Sequence, residues 1–494
     1  MWLTQLLERN RQCRPGRTAL VDEERSVTWA EFHDRTVELA RGLAELGIER
    51  GDRVAVLSKD RIEVLESYFA LARLGALFVP LNHSLAEPEV AGIVERVGAV
   101  AVLGESELLD RHTGLPASVR IRLALDKPAF AALGTLAAER ELPDVADTDP
   151  IAVLHTSATT GQAKGVTVDS ASFRAIALGW LVMARPTDDI VMVNCCPLYH
   201  GSMVVSLTYL AAGATVVLMP GFTPQRALSA VERHHATHMW LVPQMLRFML
   251  QAKASHRADL SCLREILYGA APMPLDVYAD AVERLGCGFR QVYGMTEVGG
   301  PFVTLGPDEH PAPGDVTARI PCGRVVPGMS ARAVDPSGRE LPPGEIGEIV
   351  VRGPGVMQGY WNDPEATREI SLDGWIRTGD LGFMDDEGRI SLVDRTKDVI
   401  IRAGQNVYPS EIERALATHP AVRDAAVVGM PDEDYGEVPL AYVALEPGAE
   451  PQASALLAHV AGLLAPYKRP RRVEFIEQVP RNPAGKIIKK LLRV

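Results

Sequence analysis

The feature that most restricts the fold is a repeated change of hydrophobic period. Arg53-Val-Ala-Val-Leu-Ser58 is a short apolar, β-branched run, residues 61–73 carry apolar side chains at helical spacing, and Leu77-Phe-Val-Pro80 is strand-like again. The same rhythm recurs from Ile151 to about Tyr293. Strands that alternate with helices predict parallel sheets covered by helices on their faces. Ahead of them, Thr28 and Glu31 make a capping-box pair, and Phe32, Leu39, Leu43 and Leu46 share one face of a helix that ends at Gly47. A chain of 494 residues exceeds one core, so two or more domains are expected.

From about Gly323 the texture changes to short β-like runs broken by Gly and Pro, which predicts a smaller antiparallel or barrel-like part over about 323–394. Beyond Asp394-Arg395 the pattern is helix at 409–418, strands at 421–429 and 438–445, helix at 453–464, then a basic tail. The expected fold class is therefore α/β. A large domain at 1–394 is built of parallel, helix-covered sheets plus the β-rich part, and a small α+β domain occupies 395–494.

Charge and composition exclude several functions. A net charge of -12 disfavours a nucleic-acid partner. Residues 466–494 reverse the balance, with nine Lys or Arg against Glu474 and Glu477, a net of +7, which suits a polyanionic small ligand. Only Tyr467 and Phe475 offer stacking surfaces there, so nucleic acid stays disfavoured. The N-terminal residues lack the pattern of a signal peptide, and a cytoplasmic protein is expected. Ala211-Ala212-Gly213 divides the most apolar stretch, 203–220, into helix, turn and strand, so no membrane span is expected. The six cysteines contain no C-x-x-C pair and read as reduced structural thiols. His234 and His238 are spaced to share a helix face, yet without the Glu of H-E-x-x-H they read as a solvated helix end rather than a zinc site.

Chemistry is concentrated in Leu154-His-Thr-Ser-Ala-Thr-Thr-Gly-Gln-Ala-Lys-Gly165, a loop rich in hydroxyls that follows a strand-like run. Hydroxyls and backbone N–H groups donate to phosphate oxygens and Lys164 supplies charge, although the spacing is not that of a Walker loop. Downstream come Cys196-Pro-Leu-Tyr-His-Gly201, Tyr268-Gly-Ala-Ala-Pro272, Tyr293-Gly-Met-Thr-Glu297, Thr378-Gly-Asp380, Asp394-Arg-Thr-Lys-Asp398, Gly404-Gln-Asn-Val-Tyr-Pro409 and Pro480-Arg-Asn-Pro-Ala-Gly-Lys486. In this order the set resembles the acyl-adenylate-forming superfamily, which includes acyl-CoA synthetases, over essentially the whole chain.

That resemblance implies an ATP-dependent ligase that converts a carboxylic acid to acyl-AMP, releases pyrophosphate and forms a thioester with coenzyme A. Thr156, Ser157, Ala158, Thr159, Thr160, Gly161 and Lys164 would hold the ATP phosphates. Gly269, Ala270, Ala271, Tyr293, Gly294 and Met295 would flank the nucleotide. Thr296 and Glu297 would face the α-phosphate, with Glu297 and Thr156 toward Mg2+, because a hard cation prefers oxygen ligands. Asp380 would accept from the ribose hydroxyls beside Arg395. Lys486 would meet the negative charge that builds as the carboxylate attacks phosphorus. Lys397 would be the hinge on which the mobile 395–494 domain turns, bringing Gly404 and Asn406 to the coenzyme A channel. His200, Tyr199, Trp240, Gly294 and Gly299 would line the acid site.

The family's phosphate loop usually has glycine where this chain has Ala158, which adds a Cβ where a positive φ or a close phosphate approach is expected. An enzyme that loads a carrier protein and a nucleotide-binding pseudoenzyme are the alternatives. The compact run from Gly323 to Trp361 leaves no room for the insertion of acyl-AMP ligases, and Glu297, Asp380, Arg395 and Lys486 argue for activity. The apolar lining suggests a fatty or aromatic acid. The position preceding Y-G-M-T-E is Val292, with Arg290 two residues earlier, so a dicarboxylate is not expected. Assembly, as monomer or homodimer, is left open.

Overall fold

Strand-by-strand alternation does produce parallel sheets. In a computed structural model that describes residues 1–135, 141–156, 163–199, 201–313, 320–481 and 487–492, without the side chain of residue 256, two such sheets dominate the first part of the chain. One has nine strands, in the spatial order Arg324–Val325, Gly300–Leu305, Gly288–Met295, Glu265–Gly269, His238–Leu241, Val191–Asn194, Thr215–Leu218, Thr18–Val21 and Ser26–Thr28. Its strands are parallel from Gly288–Met295 to Thr18–Val21, and antiparallel pairs close both edges. The other has seven, in the order Gly359–Tyr360, Gly165–Asp169, Pro150–His155, Leu77–Leu81, Arg53–Leu57, Ala101–Gly104 and Ile121–Ala124. Their strands are buried on both faces, as in Val54, Ala55 and Val56, which is why they read as continuous apolar runs.

Local signals set the element ends. The Glu31 N–H donates to Thr28 Oγ1 at 3.2 Å and the Thr28 N–H to Glu31 Oε2 at 2.7 Å, a closed capping box that starts the helix Trp29–Glu45. Gly213, at φ +84°, ends the helix Ser202–Ala212 and lets Thr215–Leu218 return as a strand. No helix of the described residues is long and apolar enough to cross a membrane. His234 and His238 do not share a helix face. The helix Pro224–His234 stops at His235, which takes φ +49°, and His238 opens a strand. Among the described residues no cluster of His, Cys, Asp or Glu is arranged to hold a metal by itself. No disulfide joins the described cysteines, and burial raises the Cys195 thiol to about 12.

The chain divides into two compact units. The first comprises residues 1–157, 162–330 and 352–371, and the second residues 158–161, 331–351 and 372–494. The second holds a five-stranded antiparallel sheet, made by Ser330–Val334, Gly347–Arg352, Trp375–Met384, Ser371–Leu372 and Ile390–Arg395. It also holds a further five-stranded sheet in which Val422–Asp432, Gly436–Leu445 and Arg472–Phe475 pack against the helices Pro409–Ala417 and Ala453–Leu463. The β-rich run before Asp394 and the terminal α+β region thus fall in one unit, and Lys397 lies inside it.

Within the first unit Asp60 ties the two sheets together. It follows the strand Arg53–Leu57, and its Oδ1 accepts from the N–H of Leu198, in the loop after Val191–Asn194, at 2.9 Å. Its other oxygen is buried without a partner, and burial raises the carboxyl to about 8. The unfolded chain loses this proton near pH ~4, so between about pH 4 and pH 8 the folded state binds more protons and stability falls as pH rises. Asp60→Asn keeps the acceptor for Leu198 and removes the titration. Its apparent Tm is expected to gain progressively on the wild type from about pH 5 to about pH 8.5, and parallel melting curves would refute this.

Candidate active site

Four neighbouring parallel strands, Val191–Asn194, His238–Leu241, Glu265–Gly269 and Gly288–Met295, run in register and release their chains on one edge. The segments leaving that edge are Cys196 to Tyr199, Val242 onward, Gly269 to Ala271 and Thr296 to Gly299, so motifs dispersed over a hundred positions converge. The carboxyl edge of a parallel sheet is where open α/β folds bind ligands, because loops diverge there and leave a crevice.

Backbone geometry explains the small residues of these segments. A Cβ on Gly269 would lie 2.5 Å from Val292 O, and one on Gly294 would lie 2.3 Å from Gly300 O, so neither position accepts a side chain. Ala270 sits at φ +64°, a left-handed conformation that costs an alanine about 1–2 kcal/mol. Tyr268 belongs to the core. It is fully buried, and its hydroxyl donates to Gln291 Oε1 at 3.0 Å and meets His310 Nε2 at 2.8 Å. The ring of Tyr293 is half-buried and packs on Phe302, with centroids 5.2 Å apart. Ala271 and Met295 are partly exposed on the same edge.

The hydroxyl-rich loop spans the turn between Pro150–His155 and Gly165–Asp169, which pair antiparallel. Its mouth is closed by two bonds: the Thr156 N–H donates to Lys164 O at 3.0 Å and the Lys164 N–H to Thr156 Oγ1 at 3.3 Å. Ser157, Ala158, Thr159, Thr160 and Gly161 lie outside the described residues, as do His200 and Lys486. Lys164 Nζ stands 5.0 Å from the centroid of the Tyr360 ring and 3.8 Å from Glu369 Oε2. The Tyr360 hydroxyl donates to Glu297 Oε1 at 2.8 Å, and the Met357 N–H donates to Glu297 O at 2.9 Å. Lys164 and Glu297 thus meet one aromatic side chain, the ammonium over its ring and the carboxylate at its hydroxyl. Sequence reading did not single out Tyr360, although Gln358-Gly-Tyr-Trp361 was available as an aromatic pair after a glycine.

Of the residues expected to line the acid site, Trp240 is buried and its indole N–H donates to Ser202 Oγ at 3.0 Å. Its Cη2 edge faces Gly269, where a side-chain carbon would come within 3.2 Å. Gly299 takes φ +65° beside the 3-10 turn Thr296–Val298, and Tyr199 is buried edge-on to His83. Arg290 pairs with Glu265 on the next strand, at 2.7 Å from Nε and 3.1 Å from Nη2, with both side chains buried. That fork leaves Arg290 engaged within the sheet.

In the second unit Asp380 and Arg395 lie opposite each other on paired strands, with Nε to Oδ1 at 3.0 Å. Asp394 spans the next segment: one carboxylate oxygen accepts from the Arg395 N–H at 2.7 Å and the other from the Ser410 N–H at 2.8 Å, at the start of the helix Pro409–Ala417. Lys397 sits in the 3-10 turn Thr396–Asp398 between them. Ala403 and Gly404, at φ +48° and +78°, form a two-residue hairpin between Ile400–Arg402 and Gln405–Val407, with Asn406 exposed opposite Ile401. A type I′ turn requires positive φ at both positions, so the hairpin itself accounts for Gly404. Four of the nine basic side chains of the tail are paired with acids. Lys468 pairs with Glu411 at 2.7 Å, Arg472 with Glu474 at 2.7 Å, Arg481 with Asp424 at 2.9 Å and Lys489 with Glu413 at 2.9 Å.

Residues 7–361 match the AMP-binding enzyme family and residues 411–486 the AMP-binding enzyme C-terminal domain. A fatty acid–[acyl-carrier-protein] ligase of Streptomyces coeruleorubidus is 36% identical, over 99% of this chain and 96% of that one. A feruloyl-CoA synthase of Amycolatopsis is 37% identical, over 97% and 96%. The crystal structure of ATP-bound MatB from Rhodopseudomonas palustris superposes with a TM-score of 0.91 at 30% identity, covering 99% and 98% of the two chains.

The glycine geometry makes a paired prediction. Gly294→Ala is expected to abolish the native arrangement of this edge, seen as loss of soluble protein or of nucleotide binding, because its methyl would meet backbone. Ala270→Gly, which relieves the left-handed alanine, is expected to leave Tm unchanged or raised by differential scanning fluorimetry. A strongly destabilised Ala270→Gly protein would contradict it.

Proposed function

The chain belongs to the AMP-binding enzymes of the acyl-adenylate-forming superfamily, and from that membership we infer that it is an AMP-forming acyl-CoA synthetase. The carboxylate of the acid attacks the α-phosphorus of ATP, pyrophosphate leaves and acyl-AMP forms. The thiol sulfur of coenzyme A then attacks the acyl carbonyl carbon and AMP leaves. The observation that carries this reading is the convergence of the Gly269–Ala271 segment, the Thr296-Glu297 segment and Trp240 on one carboxyl edge of a parallel sheet.

Roles follow from the chemistry each residue offers. Phosphate oxygens are held by donors, which the loop from Thr156 to Lys164 supplies, with Ser157, Ala158, Thr159, Thr160 and Gly161 contributing backbone N–H groups or hydroxyls. The adenine lies between the Gly269–Ala271 backbone and the Tyr293 ring, next to Gly294 and Met295. Asp380 accepts from the ribose hydroxyls and Arg395 holds its carboxylate in place. Lys486 neutralises the charge that grows on the phosphoryl oxygens, and Thr296 donates to the α-phosphate. No covalent enzyme intermediate is required, so positioning and charge account for the rate.

Magnesium fits the residues present. Glu297 has a second carboxylate oxygen with no partner among the described residues, Thr156 adds a hydroxyl, and the site lacks the closed cage of protein ligands that would suit a softer metal. One carboxylate plus substrate phosphates and water is the usual magnesium set. When bound, the ion neutralises the polyphosphate and orients it.

For the second step the 395–494 domain turns about Lys397 and brings Gly404 and Asn406 to the thiol's path. The acid is fatty or aromatic. The relatives reported above are named for a fatty acid and for feruloyl-CoA, His200, Tyr199, Trp240, Gly294 and Gly299 form an apolar lining, and the Arg290–Glu265 pair removes the cation a second carboxylate would need. We place the enzyme in the cytoplasm, where ATP and coenzyme A are supplied.

Acid-dependent exchange of labelled pyrophosphate into ATP is expected for straight-chain or aromatic acids, together with consumption of the coenzyme A thiol. Lys486→Ala is expected to slow the exchange by about 10²-fold or more. No exchange with any acid of a broad panel would leave only nucleotide binding. Acyl transfer to a carrier protein but never to coenzyme A would reassign the acceptor.

A further inference from the structure

Tyr360 links two groups that the reaction uses separately. Its strand, Gly359–Tyr360, pairs with Gly165–Asp169, with Tyr360 opposite Val166, two residues beyond Lys164. The Tyr360 N–H donates to Thr367 Oγ1 at 2.9 Å, so the backbone is fixed independently of the side chain. From there the phenol reaches Glu297 Oε1 at 2.8 Å, and the ring carries the Lys164 ammonium 5.0 Å from its centroid. Glu297 is also held through its own carbonyl by the Met357 N–H at 2.9 Å, so one short segment fixes both its main chain and its side chain. We propose that Tyr360 is a positioning residue for the metal–nucleotide complex: its hydroxyl occupies one oxygen of Glu297 and aims the other at the cation, while its ring sets the Lys164 ammonium toward the phosphates.

The arrangement supports this in two ways. A carboxylate free to rotate presents either oxygen, whereas one already bonded at Oε1 presents Oε2 alone, which lowers the ordering cost of metal binding. The cation–π contact orients Lys164 without neutralising it, as a carboxylate at hydrogen-bond distance would. Glu369, at 3.8 Å and largely exposed, is a loose partner that a phosphate can displace.

This inference rests on the adenylation reading, and the test separates the two. Tyr360→Phe keeps the ring under Lys164 and the strand pairing, and loses only the hydroxyl. Its half-saturating Mg2+ concentration in pyrophosphate exchange is expected to rise about 10-fold or more, with the rate recovering toward wild type at high Mg2+. Mn2+ titration by electron paramagnetic resonance, with a non-hydrolysable ATP analogue present, is expected to show the same loss of affinity without turnover. Glu297→Gln is expected to weaken Mn2+ binding on its own, and adding Tyr360→Phe to it is expected to change nothing further. Tyr360→Leu, which also removes the ring, is expected to lose analogue affinity beyond the Tyr360→Phe variant.

Wild-type exchange combined with wild-type Mg2+ and Mn2+ responses in Tyr360→Phe would overturn the positioning role alone. Additive losses in the double variant would also overturn it, as would a rate defect that Mg2+ does not rescue. Absence of acid-dependent exchange in the wild-type protein would overturn the adenylation reading and this inference with it.

Discussion

Parallel pairing of Val191–Asn194, His238–Leu241, Glu265–Gly269 and Gly288–Met295 is the constraint on which the proposed nucleotide and acid segments depend. Parallel strands all end on the same edge, so segments that follow them in sequence are obliged to meet in space. The register is specific: Trp240 stands level with Leu267, and Gly269 with Val292. A side chain on Gly269 would strike the Val292 carbonyl, so sheet geometry and the glycine of the nucleotide motif are one requirement. Trp240 belongs to the same set, since Ser202 fixes its indole and its far edge meets the Gly269 backbone.

Much of this was legible in the sequence because it is local. The Thr28 and Glu31 pair announces a helix start through two hydrogen bonds between residues three apart, and Gly213 announces a break by the φ it alone adopts readily. The site residues were legible only as ordered motifs, because nothing local distinguishes Asp380 from any turn aspartate. Its meaning lies in facing Arg395 across two strands. Tyr360 escaped notice for the same reason: its partners Lys164 and Glu297 are remote in sequence and meet it only once Gly359–Tyr360 has been added to the edge of the seven-stranded sheet.

Where the sequence misled, a local pattern had been extended past its end. His234 and His238 have helical spacing, but the helix stops at His234 once His235 takes a left-handed conformation, which carries His238 onto a strand. The basic tail was counted as a patch, yet three of its nine cations meet acids from elsewhere in the second unit, as Arg481 meets Asp424 and Lys489 meets Glu413. A run of like charge in sequence says nothing of the counter-charges that folding brings alongside. Gly404 was assigned to ligand passage, and the Ala403-Gly404 hairpin gives it a conformational duty that any ligand role has to accommodate.

The segment around Lys397, the proposed hinge, is bonded on both sides. Immediately before it, Asp380 and Arg395 pair across the sheet, which makes the strand Ile390–Arg395 a fixed base. Immediately after it, the Ser410 N–H donates to Asp394 and the Ser410 hydroxyl to the Val393 carbonyl at 2.5 Å, so the first helix of the terminal region is bonded to the strand that precedes the turn. The rotation proposed at Lys397 would therefore either carry the Pro409–Ala417 helix with that strand or break both bonds. Each is a bond to one part-buried helix terminus and is worth about 1 kcal/mol net, or somewhat more for the charged acceptor. A latch of that size biases a domain between two positions without locking it in either. If the proposed hinge operates, Asp394 has a physical reason to accompany Arg395 and Lys397: it would set how readily that hinge is released.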